Sequence, residues 1–143
     1  MGLEVQFQQK GIFVTQHKYT QDLIQLASLT IATTIDTPMD VNVKLRRDEG
    51  ELLQDQTLHR KLVGSLIYLI ITRPDISLAV HPVSKFMQNT RHLHLTAIQR
   101  IIKYLPATPS RGLFFPTGAI IQLQAYNDAD WAGCPDTRKS TTG

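Results

Sequence analysis

A chain of 143 residues, 42% apolar and 19% charged, has the composition of a soluble globular protein, with material for one ordinary domain or pieces of two. A net charge of +3 permits contact with a nucleic-acid backbone without demanding it. Cys134, the single cysteine, excludes an internal disulfide and fits a reducing, intracellular setting, cytoplasmic or nuclear, while the longest apolar run, Leu66 to Ile71, is too short for a membrane span.

Leu3, Val5 and Phe7 alternate with polar residues and predict a half-buried strand. Gln9-Lys10-Gly11 supplies a turn, and Ile12 to Thr15 the returning strand. A hairpin opening a chain leaves an exposed edge. Tyr19, Leu23, Leu26 and Ala27 share one face of a short helix. Thr30 to Gln54 holds no sustained period and reads as a long irregular connection, even a linker.

Asp55 or Thr57 caps a second helix over about 58–72, with Leu62, Leu66, Leu69 and Ile70 in one stripe widened by Val63 and Ile67. Beyond Leu66 that helix is apolar nearly all round, as for a central element. Gly64 on it is expected to allow close helix packing. Arg73 precedes Pro74 and so leaves the helical region. Pro74 then opens a third helix over 74–88, with Asp75 complementing its dipole and Pro82 as an interior defect. A fourth helix over 93–105 places Ile98, Ile101, Ile102 and Leu105 on one side and is stopped by Pro106. Leu113-Phe114-Phe115 forms a short strand, turned back by Pro116-Thr117-Gly118 into a strand over 120–125. The class is therefore α+β: an N-terminal β-hairpin, a bundle of about four helices and a C-terminal β-hairpin.

Asp128 and Asp130 sit two apart after that last strand, beside Trp131 and Gly133. On a strand such residues point to one face, and paired carboxylates suit magnesium. Two carboxylates are fewer than two-metal phosphoryl chemistry needs. Asp-X-Asp at a strand end is also the pattern of an ordinary solvated turn. His81, His92 and His94 have no Cys or carboxylate at zinc-ligand spacing. Lys85, Arg91, Arg100, Lys103 and Arg111 are candidates for a basic surface over phosphates, against the plainer reading of a solvated face.

Several motifs in order resemble the Pol polyprotein of copia-type LTR retrotransposons. They are Lys10-Gly11-Ile12-Phe13-Val14-Thr15-Gln16, Lys18-Tyr19-Thr20-Gln21-Asp22-Leu23, Leu62-Val63-Gly64-Ser65-Leu66-Ile67-Tyr68-Leu69, Thr72-Arg73-Pro74-Asp75-Ile76, and Asp128-Ala129-Asp130-Trp131-Ala132-Gly133. The resemblance implies three regions. Residues 1–15 correspond to the end of the reverse transcriptase palm, 16–111 to a thumb/connection-like helical region, and 112–143 to the truncated start of a ribonuclease H-like sheet. It maps the first ribonuclease H carboxylate onto Asp128, with Asp130 beside it as part of an incomplete metal site. It implies magnesium for the full-length family and no cofactor for this fragment. The palm's catalytic Asp pair and most ribonuclease H carboxylates fall outside the sequence, as does the remainder of Pol.

The function so implied is a fragment of an RNA-directed DNA polymerase/ribonuclease H polyprotein, catalytically inactive alone. The alternatives are a non-catalytic module binding the backbone of duplex nucleic acid or an RNA–DNA hybrid, and a degenerate transposon remnant without selected function. No membrane partner is expected.

Overall fold

The computed structural model describes residues 2–27, 33–120 and 138. Its class is the expected mixture of helices and antiparallel sheet. The alternating opening stretch folds as a hairpin of β1 (Glu4–Gln8) and β2 (Gly11–Thr15), with Val5 opposite Val14 and Phe7 opposite Ile12. A third strand, β3 (Leu113–Pro116), returns from beyond the helices and pairs antiparallel with β2, giving the order β1-β2-β3. Two glycines let it approach. A Cβ on Gly11 would collide with the Phe115 carbonyl oxygen, and one on Gly112 would lie 2.5 Å from that of Val14. Gly11 therefore serves this close approach as well as the turn. The return strand expected after β3 lies, past Ile120, outside the described residues.

The helical region follows the sequence pattern with instructive departures. Helix α1 spans His17–Leu26 and α2 Thr57–Leu69. Neither expected residue is the N-cap of α2, which is Gln56 and carries no side-chain cap; Asp55, just before it, accepts the Thr57 N–H at 2.8 Å through Oδ1. The end of α2 comes earlier than residue 72. Ile70, Ile71 and Thr72 donate to carbonyls three residues back, tightening the last turn before Arg73 turns out to φ −124°, ψ 63° ahead of Pro74. The single helix expected over 74–88 is a 3₁₀ turn, Pro74–Ile76, followed by α3, Ser77–Ser84. Pro82 lies inside α3, which ends two residues later, so the hydrogen bond it forfeits falls in the last turn. Helix α4 spans His92–Tyr104 and passes into a 3₁₀ turn, Leu105–Ala107.

The core is built wholly from this helical body. Leu62, Leu66 and Leu69 of α2 meet Val80 and Val83 of α3 and Ile98, Ile101 and Ile102 of α4, with Leu23 of α1 closing one side. None of the strand side chains joins that buried apolar cluster. Two expectations for α2 are corrected. Ile67 is 46% exposed and Ile71 beyond it 51%, so α2 is one-sided rather than buried all round. At Gly64 a Cβ would meet nothing within 4 Å, so no helix packing requires a glycine there.

Residues 33–56 carry no helix and no named strand, as the sequence implies, yet they are not a slack linker. They run along α4 from its C-terminal to its N-terminal end. The Ile35 N–H donates to the Lys103 carbonyl, and Arg100 Nη2 to Thr37 Oγ1 at 2.9 Å. At the other end the Leu53 N–H donates to the Thr90 carbonyl and the His92 N–H to that of Glu51. No described helix is long and apolar enough to cross a membrane.

Candidate functional site

Sheet and helical body are joined where the chain leaves β2 and where it approaches β3, and buried polar chemistry gathers there. Arg73 is the centre. It sits at the break between α2 and the 3₁₀ turn, where the Pro74 constraint aims its side chain inward, and it is 3% exposed. Its Nε and Nη2 each donate to a different oxygen of Asp75 at 2.9 Å, a bidentate pair. Nη2 also donates to Thr108 Oγ1 at 2.6 Å, and the guanidinium carbon lies 5.7 Å from the Tyr104 ring centre.

Asp75 gathers two more donors: Tyr104 Oη at 3.0 Å and Arg111 Nη1 at 3.1 Å, both on Oδ2. Burial pushes its carboxyl upward. The hydrogen bonds and charge of Arg73, the Tyr104 hydroxyl and the Arg111 charge outweigh that and hold it below the usual carboxylate range. Thus Asp75, read from sequence as a helix-dipole partner, is the counter-ion that makes a buried arginine tolerable.

Beside this node Gln16, 2% exposed, accepts from Thr72 Oγ1 at 2.8 Å through its Oε1. Gln16, Thr72, Arg73 and Arg111 line a cavity of about 150 Å³, together with Ile24, Leu105, Pro106 and Pro109. Gln16 Nε2 has no partner among the described residues.

A second polar cluster lies at the far end of α4. Arg91 Nε donates to the Arg47 carbonyl and Nη1 to that of Gly50 at 2.7 Å. His94 Nδ1 accepts the Arg91 N–H at 3.0 Å, so the ring proton is on Nε2, which donates to the Arg46 carbonyl at 3.0 Å. His94 stacks on Phe86 at 4.2 Å. His59 is fully buried, and Thr90 Oγ1, committed as donor to the Phe86 carbonyl, accepts from its Nδ1 at 3.3 Å. Nε2 of His59 is thereby left as an acceptor without a partner among the described residues. Burial first, then the charges of His94 and Arg60, lower its pKa to about 4.

The five cations singled out from sequence separate into two kinds. Arg91 holds loop carbonyls, Arg100 holds Thr37, and Arg111 pairs with Asp75. Among the described residues Lys85 and Lys103 have no ion-pair partner. Arg91 and Lys103 stand at opposite ends of α4, roughly 18 Å apart along the axis. Asp128 and Asp130 lie outside the described residues. Among the described residues no group of three or more His, Cys, Asp or Glu could hold a metal ion, so no step through magnesium is derived. Sequence reasoning missed the Arg73 node and the Gln16–Thr72 bond. The signal was present in Thr72-Arg73-Pro74-Asp75, where an arginine and an aspartate flank a proline that ends a helix.

The chain is similar over its whole length to a retrovirus-related Pol polyprotein from transposon RE1 of Arabidopsis thaliana, at 42% identity. It is 40% identical, again over its whole length, to that from transposon RE2 of the same plant. It spans about 10% of the length of each of these relatives. An uncharacterized mitochondrial protein of Arabidopsis thaliana is 32% identical over the whole chain, which covers 59% of it. No family model matches, and no solved structure matches.

Proposed function

The chain belongs to the retrovirus-related Pol polyproteins of copia-type transposons, and from that membership we propose that it is a thumb- and connection-like segment that grips nucleic acid and carries out no chemistry alone. The observation that supports this reading is the unbroken similarity of the whole chain to one tenth of a Pol polyprotein. Residues 16–111 act as the gripping body. Residues 1–15 are the end of the palm, and residues 112–143 open a ribonuclease H-like sheet that bears Asp128 and Asp130.

The substrate contacted is the sugar-phosphate backbone of an RNA–DNA hybrid. Lys85 and Lys103, free of ion pairs among the described residues, supply the primary phosphate contacts. Arg91, Arg100 and Arg111 act mainly by holding the surface in shape, their hydrogen bonds already directed at Gly50, Thr37 and Asp75.

A salt titration of hybrid binding tests this. The logarithm of the binding constant should fall linearly with the logarithm of salt concentration, and Lys103→Ala should reduce the slope by about 1. Binding indifferent to salt, or no binding, overturns the gripping role. Magnesium-dependent cleavage of the hybrid, or primer extension, by the purified chain overturns the statement that it carries out no chemistry alone.

A further inference from the structure

The cavity beside the Arg73 node offers donors and lacks acid. It encloses about 150 Å³, the share of about five waters at roughly 30 Å³ each. Gln16, which lines it, is 2% exposed. The Oε1 of that amide is occupied by the Thr72 hydroxyl, and its buried Nε2 has no acceptor among the described residues. A buried donor left unpaired is costly, so the position calls for an acceptor. Arg111, also on the lining, spends Nη1 on Asp75, and its guanidinium has further N–H groups to give. None of the residues that line the cavity is acidic. Asp75 sets one negative charge against the two positive charges of Arg73 and Arg111, so an excess of one positive charge stands beside the cavity. Ile24, Leu105, Pro106 and Pro109 give the same space apolar surface.

We infer that this cavity is a binding site for a free monocarboxylate with a short hydrocarbon stem, of the size of propionate or butyrate. One carboxylate oxygen accepts from Gln16 Nε2 and the other meets the Arg111 guanidinium, while the stem packs against Ile24, Leu105 and the two prolines. Charge, size and polarity select this class together. A single negative charge answers the single positive excess. A ligand of about five or six non-hydrogen atoms is what the space of about five waters admits. Phosphate brings about two negative charges near neutral pH and no hydrocarbon for the apolar surface. Water alone could pair with Gln16 but would leave the excess charge without a counter-ion. The inference is independent of the gripping role, because it concerns the cavity and not the outer cations.

Calorimetric titration of propionate into the 143-residue chain, at constant ionic strength against chloride, tests this. One-to-one binding with a Kd of about 1 mM or tighter is expected, with a matching rise in melting temperature. Hexanoate, too long for the space, should bind about tenfold more weakly, a comparison that needs no variant. Gln16→Glu keeps an acceptor for Thr72 but puts negative charge where the free N–H stood, and should weaken propionate by about tenfold or more. Ile24→Phe fills the space without altering a donor and should do the same, its fold checked by circular dichroism. No binding by the wild-type chain overturns the inference and leaves the cavity to water. Equal binding of propionate and hexanoate overturns it, as does unchanged propionate binding in a folded variant. Phosphate binding more tightly than propionate overturns it in favour of a tetrahedral oxyanion. A capped peptide bearing one glutamate that outbinds propionate overturns the free acid in favour of a docked side chain.

Discussion

The helical body and the sheet are made of similarly apolar sequence and end in opposite states. In the body, Leu62, Val63, Leu66, Leu69, Ile98 and Ile102 are each at most 1% exposed, and the cluster is complete without help from any strand. In the sheet, Phe7 is more exposed than Leu62 by some eighty percentage points, although both sit in regular periodic patterns. The difference teaches that periodicity reports which side of an element is apolar, not whether the same stretch of chain supplies the cover. A helix can find its partner a few turns away. The three-stranded sheet leaves large apolar side chains open on both sides: Val5, Phe7 and Phe115 on one, Phe114 on the other, all 47% exposed or more.

This contrast can be broken at its joint. Replacing Asp75 by Ala leaves Arg73 buried with no counter-ion, and the loss should be about 3 kcal/mol or more, read from urea unfolding. A loss under about 1 kcal/mol would mean that the node does not hold body and sheet together.

The body should also lose stability in mild acid, through His59. Its folded pKa of about 4 lies below its ordinary 6.5, so between those values the unfolded chain binds the proton more readily. Stability is full above pH 6.5, falls as pH drops toward 4, and gains no further loss from this group below that. A shift of this size corresponds to about 3 kcal/mol. His59→Phe should flatten the slope in that window; an unchanged slope would assign it elsewhere. Asp75 adds an acid loss at lower pH. Its folded pKa is depressed, so its contribution is present above the ordinary carboxylate value and fades as pH falls through the folded one.

Gly11→Ala sharpens the comparison from the sheet side. The new Cβ meets the Phe115 carbonyl, so β3 should detach at a cost of about 2 kcal/mol while the body persists. Hydrogen exchange should show protection lost at residues 11–15 and 113–116 and kept in α2 and α4. Equal loss everywhere would show that sheet and body unfold as one. The smallest effect belongs to Gly64→Ala on the open side of α2, which should stabilise the body by about 0.5–1 kcal/mol in the same unfolding assay. Destabilisation there would mean that the residue has a packing role the structure does not show.

Much of the body was legible in the sequence because its information is local. The spacing of Leu62, Leu66 and Leu69 sets α2, and Asp55 ties down the turn before it through the Thr57 N–H, with no knowledge of the rest of the chain. Ile67 was misjudged because an apolar residue beside a buried stripe looks the same whether or not something covers it. Helix α3 was read too long because Phe86 and Met87 keep the helical period after Lys85 has already left the helix. The pairing of β3 with β2 was not legible, since Leu113 and Val14 lie far apart in sequence and nothing in either marks the other. The same distance hid the Asp75 node, where Tyr104, Thr108 and Arg111 arrive from one direction and Arg73 from another. Of the candidate cations, position could be read from sequence, but not that the guanidinium of Arg91 is spent on the carbonyls of Arg47 and Gly50, more than forty residues away.

The Thr117 N–H donates to the Lys10 carbonyl at 2.9 Å, so the chain comes back beside itself after roughly a hundred residues. Residue 10 and residue 117 are thus neighbours, so the ends of β2 and β3 lie side by side, and the helical body is reached and left at one edge of the sheet.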